Sequence, residues 1–148
     1  MSRIYIAATL PLLPFVKELA DGLRAEGLEV VSSWHEGEPT IEAEGVMSVD
    51  RQTEIAAQCF GDIDKADALV LLFGEPTERH GSFVELGYAL GRGKPTVAIS
   101  AGLFPLPTIL LLDGRVRCPS LDLASLGSDG VARHVREMLR RVERQAAR

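Results

Sequence analysis

The six residues Ala68-Leu69-Val70-Leu71-Leu72-Phe73 constrain the fold most. They form an unbroken apolar run, with Asp67 before it and Gly74 after it. A strand with one wet face alternates apolar and polar residues, so a run without a polar member reads as a parallel strand covered on both sides. Parallel strands need long crossovers, usually helical. The rest of the chain has that alternation. Arg3 to Ala8 is a predicted buried strand. Pro11 to Glu26 is a predicted helix: Pro11 suits a first turn, Val16, Leu19, Ala20 and Leu23 make one apolar stripe, and Gly27 suits the stop. Leu28 to Ser32 is a second strand, followed by a long polar loop from Ser33 to Gly45.

Met47 to Phe60 is a predicted helix, and Asp62 to Ala66 a short helical turn. After the apolar run, Gly74 to Gly81 is a loop. Ser82 to Arg92 is a helix ended by Gly93-Lys94-Pro95, and Thr96 to Ser100 is a strand. Between Ala101 and Ser128 the pattern is open, since Thr108 to Leu112 fits strand or helix; a last helix starts at Asp129. The expected architecture is α/β: a single doubly wound, flavodoxin-like domain over residues 1–148, with a mainly parallel five-stranded sheet. Such sheets bind ligands beyond the carboxyl ends of their strands, at the switch in strand order. The residues expected on that edge are Tyr5, Thr9, Trp34, His35, Glu36, Ser82 and Glu85.

Composition narrows the function. The net charge of −5 disfavours a groove for a nucleic-acid polymer. One local exception is the last helix, where Arg133, Arg136, Arg140, Arg141, Arg144 and Arg148 face only Glu137 and Glu143. Its apolar stripe of Val131, Val135, Met138, Leu139 and Val142 reads as an amphipathic helix with a solvated basic face. The two cysteines, Cys59 and Cys118, are far apart, and with three histidines they form no metal-ligand spacing, so no metal and no cofactor is expected. No run reaches the roughly 20 apolar residues of a membrane span, and the first residues run straight into a strand. A cytoplasmic protein without a membrane partner is the expectation. GxGxxG, GxxxxGK[ST] and GxSxG are absent from the sequence.

Ser82-x-x-Glu85 has the spacing of a capping box, which accounts for a glutamate in a first helical turn and contributes about 1 kcal/mol. A second reading places that carboxylate in a cleft. The polar loop before it is long enough to wall a pocket. Gly81, Gly87 and Gly91 also suggest a close approach by another backbone or a ligand, since glycine within a helix costs about 1 kcal/mol relative to alanine.

Three blocks, in order, carry a resemblance: Ile4-Tyr5-Ile6-Ala7-Ala8-Thr9, then Asp62 through Phe73, then Gly81 through Pro95. Together they resemble the nucleoside 2-deoxyribosyltransferase family and its 2′-deoxynucleoside 5′-monophosphate N-hydrolase relatives, over about residues 3 to 100. The resemblance implies that Glu85 is a nucleophile attacking the anomeric carbon of a 2′-deoxynucleoside. The base is expelled and the sugar is held as a glycosyl ester until a second base or water takes it, as in a retaining glycosidase. It implies that the Tyr5 hydroxyl holds that carboxylate in place. It also implies a homo-oligomer whose sites are completed by a neighbour, with residues 103–112 as a candidate interface.

The chain departs from the family pattern at several positions. The family's aspartate eight residues before Asp67 falls on Cys59 here, and Asp62, one turn on, is the candidate substitute. Asp67 itself reads as structural. Arg79 stands six residues before Glu85, where Asp or Ser is usual, so His80 becomes a candidate general acid. Thr9 fits a phosphate-binding serine, but Pro11 replaces the arginine that accompanies it, which favours a nucleoside over a monophosphate; Arg51 or Arg79 is an alternative source of charge. Trp34 is a candidate to stack on the nucleobase. Gly81 and Ser82 complete the candidate substrate contacts. The rival readings are a monophosphate N-glycosidase and a binding module that has lost turnover.

Overall fold

The computed structural model describes residues 2–36, 48–74, 81–101, 115–117, 119, 121 and 123–146. Its strands are β1 (Arg3–Ala7), β2 (Glu29–Val30), β3 (Ala68–Phe73), β4 (Thr96–Ser100) and β5 (Val116–Arg117). Its helices are α1 (Leu13–Ala25), α2 (Val49–Lys65), α3 (Gly81–Gly91) and α4 (Leu123–Ala146), with one 3₁₀ turn at Leu10–Leu12. The strands form one sheet in the order β2-β1-β3-β4-β5, and every neighbouring pair is parallel. Order reverses between β1 and β3, where Tyr5 lies opposite Leu69 and Ala7 opposite Leu71. The crevice expected of a doubly wound sheet therefore opens at the carboxyl ends of these two strands.

The strand period of two divides the core into two layers. Ile4, Ile6, Ala68, Val70, Leu72, Val97 and Ile99 face α1 and α4, where Val16, Leu19, Leu23, Val131, Ala132, Val135 and Leu139 meet them. Tyr5, Ala7, Leu69, Leu71, Phe73 and Ala98 face the other way, toward Cys59 and Ile63 of α2 and Leu86 and Ala89 of α3. Helices α1 and α4 touch closely. A Cβ built on Gly22 would stand 3.1 Å from the Cβ of Ala132, so a larger residue there would push the helices apart.

Local chemistry explains the element ends. Gly27 takes φ 79°, and the Leu28 N–H returns to the Leu23 carbonyl at 3.0 Å, closing α1 with a Schellman turn. Gly93, at φ 74°, closes α3 in the same way, with the Lys94 N–H on the Ala89 carbonyl at 3.0 Å. The Lys94 ammonium also donates to the Asp64 and Ala66 carbonyls at the end of α2. Ser48 caps α2 by accepting from the Arg51 N–H at 3.2 Å. Asp67 joins the amino ends of β1 and β3, accepting from the Arg3 N–H and guanidinium at 2.8 Å each.

Several boundaries differ from expectation. Pro11 sits in the 3₁₀ turn, and α1 begins two residues later with Pro14 in its own first turn. Helix α2 runs unbroken through Gly61 to Lys65, so the expected helix and the helical turn that continues it are one element. Strand β2 is shorter than predicted because the Ser32 side chain, rather than its backbone, bonds β1. Helix α4 begins earlier than Asp129, but its path is broken at Gly127, at φ 61° and ψ 179°, close to that boundary. Strand β5 was not predicted. Residues 103–112, with the candidate interface and the Thr108 to Leu112 run, lie outside the described residues, as do Arg79 and His80.

Candidate active site

Tyr5 is fully buried in the middle of β1, on the layer covered by α2 and α3. Its length carries the hydroxyl out of the apolar cluster to Glu85, where it donates to Oε1 at 2.9 Å. Glu85 lies in the second turn of α3, at the carboxyl end of β3. The capping box is not made. Helix α3 begins at Gly81, the Glu85 carboxylate bonds Tyr5, and the Ser82 Oγ is buried without a partner among the described residues. A bond to a buried phenol displaces the local cap because an apolar wall offers Tyr5 few other acceptors.

Burial dominates the electrostatics. It lifts the Glu85 carboxyl from its ordinary 4.5 to about 7, while the hydrogen bond from Tyr5 pulls it back. The same burial pushes the Cys59 thiol up to about 11, with the Glu85 charge adding to the rise. The Tyr5 phenol, buried beside Glu85, is held far above its ordinary value. Near neutral pH the site thus presents one carboxyl poised between its two forms, held by the un-ionised Tyr5 hydroxyl.

Asp62 does not join this group by hydrogen bonding. Its Oδ2 accepts from the Ser33 N–H at 3.2 Å and the Ser33 Oγ at 2.5 Å, and its Oδ1 accepts from Lys65 at 3.2 Å. Gln58 donates to the same Ser33 Oγ at 2.6 Å. Asp62 is thus the anchor of the chain leaving β2. Ser33 was missed in the sequence because a contact across 29 positions leaves no local signal.

Trp34 and His35 are held inward by the same segment. The Trp34 indole N–H donates to the Ile6 carbonyl at 2.7 Å, and the ring packs on both apolar layers. His35 is buried against the Ser32 Oγ at 3.0 Å, and burial lowers its pKa, so it is neutral at pH 7. Its ring also stands edge-on to Trp34, with centroids 5.6 Å apart. Glu36 is turned outward onto Arg24 at 2.5 Å.

Thr9 stands at the end of β1, where its carbonyl accepts from the Leu12 N–H at 3.0 Å. Gly81 is exposed, and a Cβ at Gly81, Gly87 or Gly91 would meet nothing within 4 Å. No described part of the chain makes the close backbone approach that these glycines suggested. Among the described residues no three His, Cys, Asp or Glu side chains gather as a metal site, and no helix is long and apolar enough to cross a membrane.

A five-stranded parallel sheet with a buried tyrosine bonded to a half-buried glutamate at its switch point defines an α/β protein of the flavodoxin-like type. Its solved structural relatives include the 2-deoxyribosyltransferase of Bacillus psychrosaccharolyticus, at TM-score 0.60 and 23% identity, covering 73% of this chain and 79% of that one. They also include a CMP N-glycosidase of Clostridium botulinum, at TM-score 0.59 and 17% identity over 90% and 97% of the two chains. A conserved protein of Enterococcus faecalis follows, at TM-score 0.52 and 19% identity over 88% and 87%. Comparison with curated protein sequences finds no match. The sequence model described as nucleoside 2-deoxyribosyltransferase matches residues 4–106. The chain belongs to the nucleoside 2-deoxyribosyltransferase family, whose enzymes work at the N-glycosidic bond of small nucleosides.

Proposed function

We propose that the chain cleaves the N-glycosidic bond of a 2′-deoxynucleoside by two displacements on Glu85. The observation that carries this reading is the 2.9 Å bond from the buried Tyr5 hydroxyl to Glu85 Oε1. It fixes one carboxylate oxygen and leaves the other to attack. In the first step the anomeric carbon gains a bond to Glu85 and loses its bond to the base, which departs with the electron pair and takes a proton from solvent. In the second step water or a free nucleobase attacks the same carbon and gives up a proton to solvent, and Glu85 leaves as a carboxylate. Tyr5 is the positioning group. It stabilises the ionised form that attacks and the same form when it departs.

The remaining contacts follow from their places at the edge. Thr9 and Gly81 border the crevice, and the partnerless Ser82 Oγ is a donor and acceptor for a sugar hydroxyl. Trp34 offers ring surface only, because its N–H is engaged by Ile6. Asp62 acts through the Ser33 segment and does not replace a sugar-binding aspartate. A second copy of the chain completes the crevice, where Leu10, Val49 and Val84 are exposed apolar side chains.

The test is to incubate the protein with deoxynucleosides and their 5′-monophosphates, with and without a free base, and to follow products by chromatography. Base exchange supports transfer, and free deoxyribose supports hydrolysis. Sugar phosphate supports the second reading, a monophosphate N-glycosidase. Intact substrate with measurable binding makes the chain a binding module. A Glu85→Gln variant with undiminished rates refutes the role of Glu85.

A further inference from the structure

We infer that His35 is an acid-released catch on the segment leaving β2: while its ring is neutral it secures a side-chain clip on Ile6, and when the ring takes a proton Ser32 and Trp34 let go of β1. The inference does not rest on the chemistry proposed for Glu85. The backbone ladder between β1 and β2 ends early, with the Val31 N–H on the Ile4 carbonyl at 2.9 Å. Beyond it two side chains take over. The Ser32 Oγ accepts from the Ile6 N–H at 3.2 Å, and the Trp34 indole N–H donates to the Ile6 carbonyl at 2.7 Å. His35 closes the arrangement, with Nε2 3.0 Å from the Ser32 Oγ and its ring edge-on to Trp34. Ser32 and His35 are each 1% exposed, so neither has water to replace a lost partner. Ser33 is held separately, by Asp62 of α2, and is the pivot.

The direction of the hydrogen bonds makes the catch sensitive to acid. The Ser32 Oγ accepts from a backbone N–H and has one hydrogen of its own, with no further partner than His35 among the described residues. That hydrogen therefore goes to His35 Nε2, and the neutral ring carries its proton on Nδ1. A protonated imidazole has a donor on both nitrogens and no acceptor for the hydroxyl. The buried Ser32 hydrogen would be left without a partner, beside a charge without water. The charged groups bearing on His35 are Glu36 of its own segment and Arg24, Lys17 and Asp21 of α1, two of each sign. Burial therefore decides the form of the ring and holds its pKa below the ordinary 6.5. The clip is complete above that value and is lost as the pH falls below it. Because it is made of side chains, it opens without breaking a strand ladder, and its release is confined to this edge.

The experiment is native-state hydrogen exchange of the full chain by NMR, at about pH 7.5 and about pH 5, with each rate compared with its intrinsic value at that pH. The reporters are the Ile6 amide and the indole N–H of Trp34, the single tryptophan of the chain. An open segment, in which His35 titrates at its ordinary 6.5, gains on the closed one by about tenfold for each pH unit below that value. Protection of both reporters therefore falls by up to about 30-fold at the lower pH. Their exchange depends little on dilute urea, as local opening exposes little surface. In His35→Gln, whose carboxamide takes no proton, the fall is absent. The imidazole of native His35, assigned through the backbone, titrates below 6.5. The inference is overturned by unchanged protection in the native chain, by an equal fall in His35→Gln, or by a native His35 midpoint at or above 6.5. It is also overturned if Ile6 and Trp34 share the protection and urea dependence of the Val70 amide in β3, which means that the segment opens only when the whole sheet does. All but the comparison with His35→Gln are read in the native chain, so the inference stays testable if that variant fails to fold.

Discussion

Replacing Glu85 with glutamine stabilises the chain at alkaline pH and abolishes turnover. The magnitude follows from the site. In the unfolded chain Glu85 ionises at its ordinary 4.5, and in the fold at about 7. Below pH 4.5 both states carry the proton and Glu85 adds nothing to the balance. Between the two values the unfolded state releases its proton first, so stability falls as the pH rises, and above 7 the loss is complete. A gap of this size corresponds to about 3 kcal/mol, and partial exposure of the carboxylate brings it to about 2. Glutamine has the same shape, still accepts from Tyr5 and carries no charge, so it recovers this loss. In a chain of this length the gain appears as a rise in Tm of about 4–8 °C. Thermal unfolding of the native chain and Glu85→Gln, compared at about pH 8 and near pH 5, measures it: the gain is present at the higher pH and small at the lower. A variant less stable by about 1 kcal/mol at both values would show that Glu85 is a helix cap and that the charged-carboxylate reasoning is wrong.

Other consequences are testable in the same preparations. The activity of the native chain rises with pH through about 7, because Glu85 attacks in its ionised form, and a profile flat from pH 5 to 9 would contradict this. Tyr5→Phe removes a charge-assisted bond; kcat/KM falls by roughly 10- to 100-fold and its acid limb moves to higher pH, read from initial rates across the pH range. Asp62→Ala releases the Ser33 segment and lowers stability by about 2 kcal/mol in urea unfolding, with Glu85 still titrating near neutrality. Gly22→Leu forces α1 from Ala132 and costs about 2 kcal/mol, measured the same way.

The parts of the fold that could be read in advance are those with a local signature. Strand β3 is an apolar run, α1 has a stripe with a glycine stop, and α3 ends at Gly93 where φ turns positive. Strand β5 has no such signature, because two residues become a strand only through pairing with Thr96 and Val97 of β4. Helix α2 was legible on both sides of Gly61, a helix-weakening residue that tertiary packing overrides. At the site, spacing alone left Glu85 open between a cap and a cleft. Its partner is 80 positions away, and the pairing was expected from resemblance to a family rather than from periodicity. The inward fold of Trp34 and His35 depends on Ile6 and Ser32, and residue type does not tell an indole that stacks on a ligand from one that bonds a strand carbonyl.

The sheet is one residue thick, yet it separates two kinds of change. Tyr5 leans to one side of β1, and its neighbours Ile4 and Ile6 lean to the other, where Gly22 and Ala132 bring two helices together. Substitutions far apart and without shared partners combine additively. A library confined to the α1–α4 seam can therefore retune the heat tolerance of this protein while its acid response stays where Tyr5 and Glu85 set it.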